Sequence, residues 1–184
     1  MEILTQSLPA DIKYKMYDVP HNSGQRAIAD IIENDVVNQL IEQGGIAPKS
    51  VRTIEDVTFK GVLVDVKTRD IGREFSMPNL ISVDRLSKNR NTEIAYLFID
   101  YVVNPVDGET AQIVNIEYRP IESIDWHHLS IQNLGLGQLQ LVKTDKGINY
   151  FEGTKEDWFF ELKLQMGNFY ERQIRKFETL RKKL

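Results

Sequence analysis

Residues 91–103, NTEIAYLFIDYVV, constrain the fold more than any other stretch. The run Ile94 to Ile99 is apolar without alternation, which a strand with one solvated face does not need, so it belongs at the centre of a sheet covered on both faces. The chain must then supply a layer on each side. At 184 residues and 21.3 kDa it is long enough to do so as one domain, 1–184, with a hydrophobic core and an N-terminal arm over residues 1–22. TAQIVNIEY from Thr110 reads as a neighbouring strand after the turn at Asn104 to Asp107.

Two further strands are expected at about Val51 to Phe59 and Val62 to Lys67, joined by Lys60-Gly61, a two-residue hairpin turn. That turn sets Phe59 opposite Val62, Val57 opposite Val64 and Asp56 opposite Asp65. Two carboxylates directly across a ladder stand roughly 5 Å apart at Cβ and repel each other, unless a cation lies between them. Period two puts Val62, Val64 and Val66 on one face and Leu63, Asp65 and Lys67 on the other, with Lys67 about 6.6–7 Å along the strand from Asp65. Acid, acid and lysine thus converge.

Helices frame these strands. Ile28, Ile32, Val36 and Leu40 recur at helical spacing from about Gln25 to Gln43, with Ser23 as a possible cap and Gly44-Gly45 as the stop. On that helix Asp30 shares a face with Val37 and Ile41, so it is either a rim acid or one turned toward a semi-apolar surface. LISVDRL, after Ser76-Met77-Pro78-Asn79, reads as a helix with Pro78 at its start. Residues 124–133 fit a helix or an irregular loop, and GQLQLVKT from Gly137 alternates like a strand. Thr154 to Asp157, TKED, has capping-box form and opens a long C-terminal helix whose inner face is approximated by Trp158, Leu162, Met166, Phe169, Ile174, Phe177 and Leu180. The fold class expected is α/β, a mixed central sheet flanked by helices.

Composition narrows the chemistry. There are no cysteines, which removes disulfides, thiol nucleophiles and thiolate metal sites. The three histidines lack metal-ligand spacing, and no nucleophile elbow or nucleotide loop stands in the right context. No apolar run approaches the ~18 residues a membrane span needs, and MEILTQSLPADIK has no signal-peptide pattern, so a cytoplasmic location without membrane contact is expected. A net charge of −4 argues weakly against nucleic acid, yet the positive charge is grouped: Lys67, Arg69 and Arg73; Arg85, Lys88 and Arg90; then Arg172, Arg175, Lys176, Arg181, Lys182 and Lys183. The last group equally suits the negative end of a helix dipole.

An acid two residues before a lysine occurs three times, at Asp11, Asp65 and Glu161. Of these, Asp65 alone sits in an apolar strand with an acid opposite, and spacing leaves two readings of Asp56, Asp65 and Lys67: a metal site or a surface ion-pair cluster.

LVDVKTR, then PNLIS about ten residues on, then FEGTKEDW opening the last helix, together resemble the HincII-type restriction endonucleases, relatives of EcoRV among the PD-(D/E)XK nucleases. The helix ADIIENDVVNQLIEQGG is also similar to the early helix of that group. The resemblance implies that Asp56 and Asp65 bind Mg2+ (Mn2+ as a substitute), with the Val66 carbonyl a further ligand, and that Lys67 orients or deprotonates the attacking water. It puts Asp30 in the place of an accessory helix acid. Ser76, Asn79 and Ser82 correspond to a DNA-contacting segment, Gln132 and Asn133 to a second base-reading segment, and the grouped cations Arg69 and Arg85 are candidates for contact with DNA. The activity implied is Mg2+-dependent hydrolysis of double-stranded DNA at a short, palindromic site by a homodimer, leaving 5′-phosphates and blunt ends. The alternatives are a structure-specific or nonspecific repair or phage nuclease of the same fold, or a catalytically inactive DNA-binding module. This chain departs from the pattern in lacking a proline before Asp56, in being shorter, and in missing much of the N-terminal part tied to dimerisation.

Overall fold

The computed structural model describes residues 10–19, 24–49, 54–72, 78–106, 108–132, 137–142 and 147–183. They gather into two compact units, one made of residues 1–76 and 90–121 and the other of residues 77–89 and 122–184.

The first unit is a five-stranded mixed sheet with one helix. In chain order it contains β1 (Met16–Asp18), α1 (Gln25–Glu42), β2 (Val57–Phe59), β3 (Val62–Asp70), β5 (Ile94–Val103) and β6 (Thr110–Pro120), with sheet order β1-β6-β5-β3-β2; β4 (Asn79–Ser82) belongs to the second unit. The β3 and β5 pair is parallel and every other pair is antiparallel. The apolar run of β5 is buried from Ile94 through Tyr101, as its lack of alternation requires. The hairpin has the expected register, Val57 with Val64 and Phe59 with Val62. Lys60 (φ 49°) and Gly61 (φ 86°) both take positive φ, the turn whose twist matches the strands it joins.

Helix α1 buries Ile28, Ile32, Val36 and Leu40 against Val64 and Val66 of β3, Leu97 and Ile99 of β5, and Ala111 and Ile113 of β6. It ends as the glycines require: Gly44 has φ 99°, and Gly45 N–H reaches back to the Leu40 carbonyl at 2.9 Å. Ser23 lies outside the described residues, and the N-cap is Gly24, with no side-chain cap. Residues 16–18, read from sequence as part of an arm, form an edge strand on β6; three residues are too few to show alternation. Tyr17 is buried there and its hydroxyl donates to Asp35 of α1 at 2.9 Å.

The second unit is a three-stranded antiparallel sheet in the order β4-β8-β7, with two helices. Its elements are β4 (Asn79–Ser82), α2 (Val83–Lys88), β7 (Leu129–Gln132), β8 (Gln138–Leu141) and α3 (Lys155–Arg181). The helix expected from Pro78 is therefore half strand: Leu80, Val83 and Leu86 keep helical spacing, but pairing with β8 draws Asn79–Ser82 into the sheet. Residues 124–132 become a single 3-10 turn, Trp126–His128, followed by β7.

Helix α3 starts on the expected capping box, with Thr154 and Asp157 bonding reciprocally. Trp158, Phe159, Leu162 and Phe169 are buried, and the Trp158 indole donates to the Ile124 carbonyl at 2.9 Å. The expected inner face fails beyond Phe169: Ile174, Phe177 and Leu180 are 57%, 63% and 49% exposed. The five-residue step from Phe169 to Ile174 turns the helix about 140° past one full turn, onto another side.

Candidate active site

The two faces of the larger sheet differ in chemistry. One carries the apolar side chains that meet α1. On the other, register sets three rows across β3, β5 and β6: Asp65, Tyr96 and Arg119; Lys67, Phe98 and Glu117; Arg69, Asp100 and Asn115. Asp65, Asp100 and Arg119 are all buried.

The edge of β3 explains how carboxylates gather beside this face. Alternate main-chain groups of a strand point to the same edge, and β2 covers that edge only as far as Val64, where Asp56 N–H donates to the Val64 carbonyl at 2.9 Å. Beyond it, carboxylates take the place of a strand. Val66 N–H donates to Asp56 Oδ2 at 2.8 Å, and Thr68 N–H donates to Glu33 Oε1 of α1 at 3.0 Å, with the Thr68 hydroxyl on the same oxygen. Lys67 Nζ donates to Asp65 Oδ1 at 2.5 Å and lies 3.4 Å from the Val66 carbonyl oxygen.

Asp65 is the strained member. Burial pushes its carboxyl up to about 8; the Lys67 ammonium opposes that, while the Asp56 carboxyl, within hydrogen-bonding reach, adds to it. Glu33 is also raised, first by burial, against the Thr68 hydrogen bonds and the Lys67 charge that favour its ionised form. Tyr96, beside Asp65 in register, has a buried hydroxyl with no hydrogen-bond partner among the described residues, and burial holds its phenol well above the usual range.

Asp56, Asp65, Val66 and Lys67 are thus brought together. Asp30 is not among them; its position on α1 is exposed, and the helix acid at the strand edge is Glu33. Sequence contained that signal, since Glu33 stands four and eight residues before Val37 and Ile41. Arg69, expected as a DNA contact, is instead engaged in the sheet: its Nε and Nη2 donate to Asp100 at 2.5 and 3.0 Å, its guanidinium lies 5.0 Å over the Phe98 ring, and Glu117 is 3.5 Å away. Asn115 completes the set by donating to Asp100 at 2.9 Å.

The other expected contacts among the described residues belong to the second unit. Asn79 is exposed on β4 and accepts from Gln140, Arg85 is exposed on α2, and Gln132 ends β7, donating to Ser130 Oγ. Ser82 has a local role, capping α2 by accepting from Arg85 N–H. Ser76 and Asn133 lie outside the described residues.

Among the described residues, no group of three or more His, Cys, Asp or Glu side chains is placed to hold a metal ion. The donor set is an open one: two carboxylates in reach of each other and a main-chain carbonyl, with Asp65 destabilised in its ionised form by burial and by the neighbouring Asp56 carboxyl. Such oxygen donors fit a hard divalent cation that keeps part of its water shell.

The chain combines a five-stranded mixed sheet in one unit with a long C-terminal helix in the other, and its fold is restriction-endonuclease-like. Among solved structures, the NlaIV restriction endonuclease is similar, with a TM-score of 0.52 at 11% identity over 76% of this chain and 68% of that one. No protein-family model matches the chain, and no match was found among curated protein sequences. No helix among the described residues is long and apolar enough to cross a membrane.

Proposed function

We propose that this protein is a type II restriction endonuclease that hydrolyses double-stranded DNA at a short palindromic site. The observation that carries the reading is the pair Asp56 and Asp65 at the uncovered end of β3, with the Lys67 ammonium reaching both Asp65 and the Val66 carbonyl. Asp56, Asp65 and the Val66 carbonyl would hold Mg2+, and Mn2+ would substitute. Bound there, the ion supplies positive charge to the phosphoryl oxygens and acidifies water. The protein's own groups do the rest. Lys67 Nζ orients the attacking water and adds charge for the transition state. Glu33, anchored on Thr68, positions the strand edge and can hold a proton close to Lys67.

The blocks LVDVKTR, PNLIS and FEGTKEDW favour the HincII-like branch, and with it a homodimer, blunt ends and 5′-phosphates, since a two-fold protein reads a two-fold site. Incubating the protein with phage DNA and Mg2+ beside an EDTA control tests this. Discrete metal-dependent bands are expected. A smear would demote the reading to a nonspecific nuclease of the same fold, and intact DNA would overturn both.

A further inference from the structure

Helix α3 is apolar on two sides, and only one of them is covered. Trp158, Leu162 and Phe169 are buried on the first. On the opposite side Phe160 and Leu164 are 62% and 48% exposed, and Gly167, Tyr170, Ile174 and Phe177 continue from them at steps of three or four residues, all exposed. Such steps are close to one helical turn, so these residues form a single stripe nearly five turns long. A lone exposed leucine is ordinary, but a continuous apolar stripe on a helix marks a face that another element covers.

The order of residues along the stripe says what covers it. About Gly167 the helix matches itself in reverse: Phe160 and Ile174 lie seven residues to either side, Leu164 and Tyr170 three, and the opposite charges Lys163 and Glu171 four. A face with that symmetry is complementary to a copy of itself turned about a two-fold axis, where residue i meets j and j meets i. We propose that α3 pairs antiparallel with α3 of a second copy of this chain, its axis at Gly167, so that Phe160 packs on Ile174, Leu164 on Tyr170, and Lys163 of each copy meets Glu171 of the other. Glycine weakens a helix interior, yet it suits the axis: no atom lies within 4 Å of where a Cβ at Gly167 would stand, which leaves room for a second backbone. Lys163 has no ion pair among the described residues, and Glu171 has only an exposed contact of 3.7 Å with Arg175. The first half of α3 has an acidic excess and the second a basic one, so antiparallel pairing joins unlike halves where parallel pairing would set the basic ends together. The same register sets Glu156 against Glu178 near the ends, where Arg181 stands one turn from Glu178. The inference rests on the homodimer of the nuclease reading, whose interface it names, and its test needs neither metal nor DNA.

Sedimentation of the full chain in EDTA at rising micromolar concentration should reveal a species of twice the 21.3 kDa chain mass. Ile174→Asp should weaken that association by about a hundredfold or more, because it buries a charge without a partner. Gly167→Leu meets nothing in the single chain and should weaken it as much by holding the helices apart. Lys163→Glu alone should weaken it about tenfold, and Lys163→Glu with Glu171→Lys should restore it. Eight residues apart on one helix, these two side chains do not meet within a chain, so restoration reports contact between copies. The protein has no cysteine, so chains with Lys163→Cys mixed with chains with Glu171→Cys should crosslink on mild oxidation, while neither crosslinks alone. Melting curves check that each variant is folded. A monomer at every concentration, a dimer that survives both Ile174→Asp and Gly167→Leu, or crosslinking of the Lys163→Cys chains by themselves would each overturn the proposal. Metal-dependent cutting by a monomer would refute this interface and leave the nuclease standing; a dimer with these dependences that leaves DNA intact would do the reverse.

Discussion

Two ion pairs lie two residues apart on the same face of the sheet, and they have opposite characters. Asp100 receives two hydrogen bonds from Arg69 and one from Asn115, and Arg69 also stacks over Phe98. Asp65 has one cationic partner, Lys67, and a second carboxylate, Asp56, beside it. The first arrangement is saturated and reads as structure. In the second, two carboxyl groups share one lysine in a buried place, which a fold tolerates where chemistry requires it. Both pairs would look alike in a list of acids and bases; their remaining neighbours separate them.

The sharpest way to break the comparison is to remove one member of each pair. Lys67→Ala or Asp65→Ala should lower Mg2+-dependent cleavage by about a thousandfold or more, with DNA still bound in Ca2+. Wild-type cutting rates by either variant would refute the site. Arg69→Ala should leave Asp100 buried and unpaired, destabilising the fold by about 3–5 kcal/mol in urea melts. A loss below about 1 kcal/mol would mean that Arg69 is not structural.

A smaller effect separates Glu33 from Asp30. Glu33→Gln should reduce the cleavage rate by about tenfold or more while stability changes little, whereas Asp30→Asn should cut within about twofold of the unaltered protein. Equal losses would return the accessory role to Asp30.

A further difference between the two pairs concerns pH. The folded chain keeps the Asp65 proton up to about pH 8, whereas the unfolded chain gives it up near pH 4, so unfolding releases a proton in between. The metal-free protein should therefore lose stability as pH rises from about 4 to 8. Asp65→Asn should flatten that slope in melting curves recorded across the window, and Mg2+ should reduce it by favouring the ionised carboxylate. An unchanged slope in the asparagine variant would show that Asp65 is not the group responsible.

Local pattern determined much of this protein. The unalternating run in β5 required a covered central strand, Lys60-Gly61 imposed the register that pairs Val57 with Val64, and TKED placed the start of α3, whereas Asp56 lies just before β2 and meets β3 through its side chain on Val66 N–H. The similarity to the NlaIV endonuclease agrees with the fold class those features imply. Tertiary structure decided what depends on distant partners. Glu33 and Asp30 lie on neighbouring turns of one helix, and only the position of Thr68 selects between them. Arg69 could have met solvent, but Asp100 arrives from β5 to hold it, itself held by Asn115 of β6. Asn79–Ser82 had helical spacing and became a strand because β8, some sixty residues away, offered a ladder. Periodicity reports which side of an element is apolar; it carries no information on which residue from elsewhere will complete a charge.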